Sequence, residues 1–252
     1  MSYKAIKEAY NQMLVESNEH PMIEVDGVLK HRHNSLGQPI HHTDEGIKNF
    51  HRWFGDSTTV DEHGRPKVFY HATNANFDEF NIGVPTMTHT TFGSYESSRH
   101  GIFSTPSHNF AQQYLKRGEG QNVMPVYIKA TKPVDMREGI DGETINKIVN
   151  NQDSNLRHSD FYHIEPHETW QIFDDDMGEK VSSALKSHGH DSAEIVEKDN
   201  NNKLHSVIVA FHPHQIKSAI GNSGAFSHLT KITESAYDSI PTSYIQMIQS
   251  KV

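Results

Sequence analysis

Four short stretches carry the side chains best suited to chemistry. "KVFYHATNAN" (67–76) runs apolar through Val68, Phe69 and Tyr70, ends that run in His71, and follows it with small Ala72 and Thr73. A backbone flanked by small side chains admits close approach of a planar ligand, while His and Thr offer hydrogen bonds from its rim. A histidine at a strand end is more often a structural residue, so the stretch gains weight only with partners. "RHGIFST" (99–105) offers some: Arg99, then Gly101 ahead of Phe103, then the hydroxyls of Ser104 and Thr105. "FAQQYL" (110–115) puts Tyr114 on a helix a dozen residues later, and "VIVAFHPHQIKSAIGNSGAF" (207–226) couples a buried strand to a polar, Gly-rich end.

The elements that must hold these groups can be read along the chain. Tyr3, Ile6, Tyr10, Met13 and Leu14 recur at helical spacing, which predicts an amphipathic helix over 2–16. "MIEVDGVLKHR" alternates around Asp26 and Gly27 and predicts a β-hairpin. Thr43 stands before "DEGIKNFHRWF", so a capped helix presenting Ile47, Phe50, Trp53 and Phe54 should follow and close at Gly55. Strands are expected at "KVFYHAT", "GIFST" and "NVMPVYIKAT", the last ended by Pro133, with a helix over "PSHNFAQQYLKR". The span 139–189 mixes helical patches, "GETINKIVNN" and "MGEKVSSALKSHG", with polar loops. "SAEIVEK" and "HSVIVAFHP" should pair as a hairpin around "DNNNKL". Residues 83–99 are expected as loop, and the tail 230–252 is polar with a weak helical stripe.

Composition narrows the classes of function. About a third of the 252 residues are hydrophobic, enough for one core. A net charge of −9 argues against a surface that grips a nucleic-acid backbone throughout, though it leaves room for a local basic groove. The chain has no cysteine, which excludes disulfides, thiolate zinc sites and a cysteine nucleophile. No run approaches the roughly 18 apolar residues of a membrane span, and no secretory h-region opens the sequence, so a soluble cytoplasmic protein is expected. The 20 histidines invite a metal reading. Gly37 and Pro39 interrupt the densest cluster, "KHRHNSLGQPIHH", and no i, i+4 histidine pair with a carboxylate occurs, so a solvated polar hairpin is the simpler account. The "DDD" run (174–176) precedes a helix start, where acidic side chains favour the dipole, and reads as solvated capping.

Taken together and in order, "YHAT", "GIFSTPSHNFAQQY" and "FHPHQIKSAIGN" resemble the ADP-ribosyltransferase fold of the diphtheria-toxin and poly(ADP-ribose) polymerase type. The likeness is nearest to the version carried by phage and plasmid polyvalent proteins. There a leading "WFGDSKVVDENGKPLVVYHGT" is usual, echoed here as "WFGDSTTVDEHGRPKVFYHAT" (53–73), and "FDPNQIKSATGN" is echoed by residues 211–222. The resemblance covers about 50–228. It implies an α+β fold of two packed, mainly antiparallel sheets with a cleft for NAD, with an accessory helix and hairpin layer over 1–50, the transferase-like domain over 51–228 and a polar tail over 229–252.

Residue by residue, the resemblance assigns His71 to the histidine that bonds the nicotinamide ribose, with Thr73 following. Ala72 stands for the commoner glycine, and a positive φ would be disfavoured there. Phe103, after Gly101 and before Ser104, takes the place of the second aromatic of the family's His-Tyr-Glu set and lacks its hydroxyl. Tyr114 matches the stacking tyrosine, so the nicotinamide would lie between Phe103 and Tyr114. Arg99 could meet the pyrophosphate. Val207 occupies the place of the catalytic glutamate, which speaks against chain elongation, and Glu194 or Glu197 on the preceding strand could steady the cationic transition state instead. The expected activity is mono-ADP-ribosyl transfer from NAD to a host protein or nucleic-acid acceptor, with no metal. NAD hydrolysis and a degenerate, binding or virion-associated protein are the alternatives.

Overall fold

The computed structural model describes residues 20–74, 77, 79–90, 93–115, 122–140 and 164–232. The expected helices over 2–16 and at "GETINKIVNN", and nearly all of the tail, lie outside them.

Two sheets stack face to face, and each buries its outer face under a further layer. The first sheet runs β6 (Ile102–Ser104), β10 (Leu204–Ala210), β9 (Ser192–Lys198) and β8 (Pro133–Asp135); the second runs β11 (Ile216–Ser218), β7 (Asn122–Ile128) and β3 (Phe69–Thr73). All pairings are antiparallel except β8 on β9. Side chains on a strand alternate between faces, and the burial follows. Ile102, Ile208 and Ala210 of the first sheet meet Phe69, Val126, Ile128 and Ile216 of the second in one apolar cluster between the sheets. Reciprocal backbone bonds between Tyr70 and Thr105, of 2.7 and 3.1 Å, join the sheets at β3 and the end of β6.

The opposite face of the first sheet, Ala193, Ile195, Val207 and Val209, is covered by Ile172 and Phe173 from a 3-10 turn (Pro166–Phe173). Val181, Ala184 and Leu185 from a helix (Asp175–Ser187), and Phe110 from another (His108–Gln112), complete that cover. The opposite face of the second sheet, Val68 and Tyr127, packs on the amino-terminal layer. That layer consists of the hairpin β1 (Met22–Val25) and β2 (Val28–His31) and the helix α1 (Asp44–Phe54). Asp26 and Gly27, with φ of 49° and 84°, make its left-handed turn. The Thr43 hydroxyl accepts from Gly46 N–H, Gly55 at φ 56° closes α1, and Phe50, Trp53 and Phe54 are buried with Ile23, Val25 and Phe226. Each fully buried aromatic here contributes roughly 1.5–3 kcal/mol of apolar burial. The amino-terminal layer therefore shares its core with both β7 and the chain after β11.

Five expectations give way. Residues 85–98 are not loop but a hairpin, β4 (Pro85–Thr90) paired with β5 (Gly93–Ser98). Pro133 does not merely end a strand: β7 stops at Ile128, and Pro133 opens β8, whose parallel partner Ser192 is on β9. The helix after Pro106 is short, because Gln113 and Tyr114 already form a turn. The histidine-rich segment is less solvated than expected: His33, Asn34 and Ile40 are buried, and Asn34 donates to the Tyr127 hydroxyl at 3.0 Å. Asp174 makes no capping bond to the helix it precedes and is largely buried, because Arg99 draws its side chain across. Among the described residues no helix is long and apolar enough to cross a membrane.

Candidate active site

His71 sits in β3, and its side chain turns to the same side as Phe69, toward the space between the sheets. Its Nδ1 lies 2.8 Å from the Phe103 carbonyl. A carbonyl oxygen only accepts, so Nδ1 carries the proton and the neutral ring keeps its lone pair on Nε2. Burial holds the His71 pKa below the usual histidine value, the Phe103 bond opposes that shift, and the Arg99 charge adds to it. The ring is therefore neutral at pH 7. Phe80 meets it edge-on at 4.8 Å and Phe77 at 6.4 Å, fixing its plane.

Ala72 and Thr73 continue the extended strand opposite Val123 and Asn122, and no positive φ is required at Ala72. Gly101 has a packing reason: a Cβ there would stand 2.2 Å from Cγ1 of Val209 on β10. Ser104 is buried, and its Oγ has no hydrogen-bond partner among the described residues.

Phe103 alternates with Ile102 and Ser104, so its ring lies on the outer face of the first sheet, edge-on to Phe173 at 6.1 Å. The Arg99 guanidinium carbon stands 4.8 Å from the centre of the Phe103 ring and 5.5 Å from that of Trp170. Arg99 Nε is 3.4 Å from Asp174 Oδ1. Burial pushes the Asp174 carboxyl up to about 6; Arg99 restrains the shift and Asp175 adds to it. Burial raises the pKa of both Tyr114 and Glu197, and Arg99 partly opposes each rise, so one guanidinium charge acts on every titratable group of the site.

Tyr114 donates its hydroxyl proton to Glu197 Oε2. Its ring is edge-on to Phe110 at 5.3 Å, and Phe110 is in turn stacked on His205 at 4.4 Å. Glu197 is 7 % exposed; burial raises its pKa, while Tyr114 and Arg99 counter the rise.

The two sequence-predicted glutamates part company through the register. Directly opposed residues in an antiparallel pair share a face, and the β9–β10 pairs are Ile195 with Val207, His205 with Glu197, and Ile208 with Glu194. Glu197 thus lies on the Val207 face, one diagonal step away, whereas Glu194 lies on the other face and pairs with Arg137 at 3.5 Å. The structure brings Arg99, Phe103, Tyr114 and Glu197 together on the outer face of the first sheet. His71 reaches the same strand from the neighbouring sheet through the Phe103 backbone.

Sequence reasoning missed Trp170 and Asp174 as members of this group. The only signal was a tryptophan four positions ahead of an acidic run, with nothing to indicate that Arg99 would be its neighbour. Among the described residues no cluster of three or more metal-ligating side chains occurs.

A family model described as ADP-ribosyltransferase in polyvalent proteins matches residues 61–226, more than half of the chain and a span containing every group named above. No curated protein and no solved structure matches the chain.

Proposed function

We propose that this chain, which belongs to the family of ADP-ribosyltransferase domains in polyvalent proteins, is a phage-type mono-ADP-ribosyltransferase that moves ADP-ribose from NAD to a host macromolecule and releases nicotinamide. Family membership carries ADP-ribosyl transfer in general. The observation that carries catalytic competence is Glu197, a buried carboxyl held by Tyr114 on the face where Val207 leaves no carboxylate.

The residues suit NAD as a substrate. His71 Nε2 keeps a lone pair that can accept from a hydroxyl of the nicotinamide ribose, while the Phe103 bond fixes the ring. Phe103 and Tyr114 supply aromatic surface for the nicotinamide, and Arg99 supplies a positive charge for the diphosphate. In the reaction the bond between the anomeric carbon and the pyridinium nitrogen breaks. Its electron pair goes to nitrogen, and neutral nicotinamide leaves. Positive charge develops on the ribose, where the ionised Glu197 carboxylate would stabilise it. A nucleophilic oxygen or nitrogen of the acceptor then bonds the anomeric carbon and gives up its proton. Without a carboxylate at Val207 to activate a ribose hydroxyl as the next acceptor, transfer stops after one unit.

One feature favours a second reading, a binding protein on a degenerate transferase fold. Val207 is buried among Ile195, Val209 and Phe173, a position filled by core packing. Incubating the protein with NAD labelled in the adenosine half, with and without host lysate, separates the readings. Label on macromolecules that requires both lysate and His71 is the transferase result. Free nicotinamide without label would assign the chain to NAD hydrolysis, and neither product would assign it to binding.

A further inference from the structure

Arg99 does more than lie near the site: its guanidinium covers the aromatic surface that a ligand ring would need. It is within about 6 Å of two ring centres, the range in which a cation is attracted to a π face, at 4.8 Å from Phe103 and 5.5 Å from Trp170. Beside it stands Asp174, whose Oδ1 is buried and, among the described residues, has no hydrogen-bond partner, leaving the Arg99 ion pair to satisfy it. The charged groups facing Asp174 are Arg99 from the segment after β5, Asp175 from the helix it precedes and Glu197 from β9. Two aromatic rings and one buried carboxylate oxygen converging on one guanidinium are the chemistry of organic-cation recognition.

We propose that Phe103, Trp170 and Asp174 form a subsite for a planar organic cation, and that Arg99 is its resident occupant in the ligand-free protein. The proposal rests on the reading of NAD as substrate, whose nicotinamide ring is a flat monocation that would displace the guanidinium like for like. The segments that carry Arg99 and Asp174 are joined independently of the ion pair. A backbone bond from His100 N–H to Phe173 C=O at 2.8 Å and a bond from Ser98 N–H to the Asp175 side-chain Oδ1 at 2.8 Å tie the residues flanking Arg99 to those flanking Asp174. Arg99 itself is a long side chain, 38 % exposed, and can swing outward without moving its backbone. Once displaced, its charge is free to meet the diphosphate. After bond cleavage the nicotinamide is neutral and loses its attraction to the subsite, so Arg99 can return and expel it.

The test uses 1-methylnicotinamide, a planar cation, against neutral nicotinamide, following tryptophan fluorescence. The chain has two tryptophans, and Trp53 is only 1 % exposed, so quenching by added ligand reports Trp170. Removing the occupant in Arg99→Ala should tighten binding of the cation about fivefold or more, with neutral nicotinamide weak in both proteins. Arg99→Gln should behave alike, which guards against a folding defect in one variant. Adding Asp174→Asn to Arg99→Ala should return the affinity toward that of the unaltered protein, and Trp170→Phe should abolish the signal. Equal cation affinity in the unaltered protein and both Arg99 variants would overturn the subsite, as would equal binding of the neutral ring. Tightened cation binding in a protein that releases no nicotinamide from NAD would uphold the subsite and remove the transferase reading. NAD turnover with cation affinity unmoved by Arg99 would do the reverse.

Discussion

Glu197 lies one diagonal step from Val207 on the same face of the β9–β10 ladder, and its carboxyl accepts the hydroxyl proton of Tyr114. A carboxylate absent from one strand is thus offered by the next, held by an aromatic side chain assigned to the same site. The site also carries stress: two carboxyls, half-buried Asp174 and buried Glu197, share the field of one guanidinium.

The tautomer of His71 can be tested by substitution. Asn at position 71 keeps an amide donor near the Nδ1 position for the Phe103 carbonyl and removes the acceptor at Nε2. Nicotinamide release should fall roughly tenfold to a hundredfold, with the thermal midpoint little changed. Full activity in His71→Asn would show that Nε2 does not touch substrate.

Acidification between about pH 6.5 and 4 should act on two groups with opposite signs. His51 in α1 is buried, its Nε2 donates to the His31 carbonyl at 2.7 Å, and burial lowers its pKa to about 4. The unfolded chain binds this proton near pH 6.5 and the folded one only near 4. The unfolded state therefore gains as pH drops through that window, by about 3 kcal/mol in the limit. Asp174 has the opposite sign: burial pushes its folded pKa up to about 6, above the ordinary aspartate value of 3.8, so its ionisation costs stability as pH rises from about 4 to 6. Asp174→Asn should accordingly be more stable than the unaltered protein at pH 7, and His51→Gln should flatten the acid limb. Urea midpoints measured from pH 4 to 8 check both.

Gly101 tests the packing of β6 on β10. The Cβ of Ala at 101 would stand 2.2 Å from Val209, so Gly101→Ala should cost roughly 1–3 kcal/mol through overpacking. An unchanged thermal midpoint would mean that β6 is not held this close.

The amino-terminal layer should be indispensable to the fold. Trp53 is buried against Phe50 and Phe226, and its Nε1 donates to the His214 carbonyl at 3.2 Å, across to the turn before β11. Trp53→Ala should destabilise the protein by roughly 3–5 kcal/mol and unfold it as one unit with the sheets. A separate early transition for this layer, seen by calorimetry, would contradict that.

How much of this was legible depends on how local each signal is. Helix α1 could be read because cap, apolar spacing and terminal glycine all lie within thirteen residues (43–55). The β1–β2 and β9–β10 hairpins could be read because turn residues separate two apolar runs. Strands β4 and β5 carry little hydrophobic alternation in "PTMTHT" and "GSYESS", so pairing rather than pattern defines them. The parallel partner of β8 lies nearly sixty residues on, beyond any short-range signal. Within the candidate site, a motif points to His71, Phe103 and Tyr114. Only the register shows that Glu197, and not Glu194, shares the Val207 face, and only the fold pairs Arg99 with Asp174.

The proposed transfer depends on Glu197 supplying the carboxylate that Val207 does not. The direct measurement is the rate of nicotinamide release from NAD by the unaltered protein, Glu197→Gln and Glu194→Gln, each checked for folding by circular dichroism. A loss of about a hundredfold or more is expected in Glu197→Gln and a change within a few-fold in Glu194→Gln. Equal rates in the unaltered protein and Glu197→Gln, or a selective loss in Glu194→Gln, would contradict it.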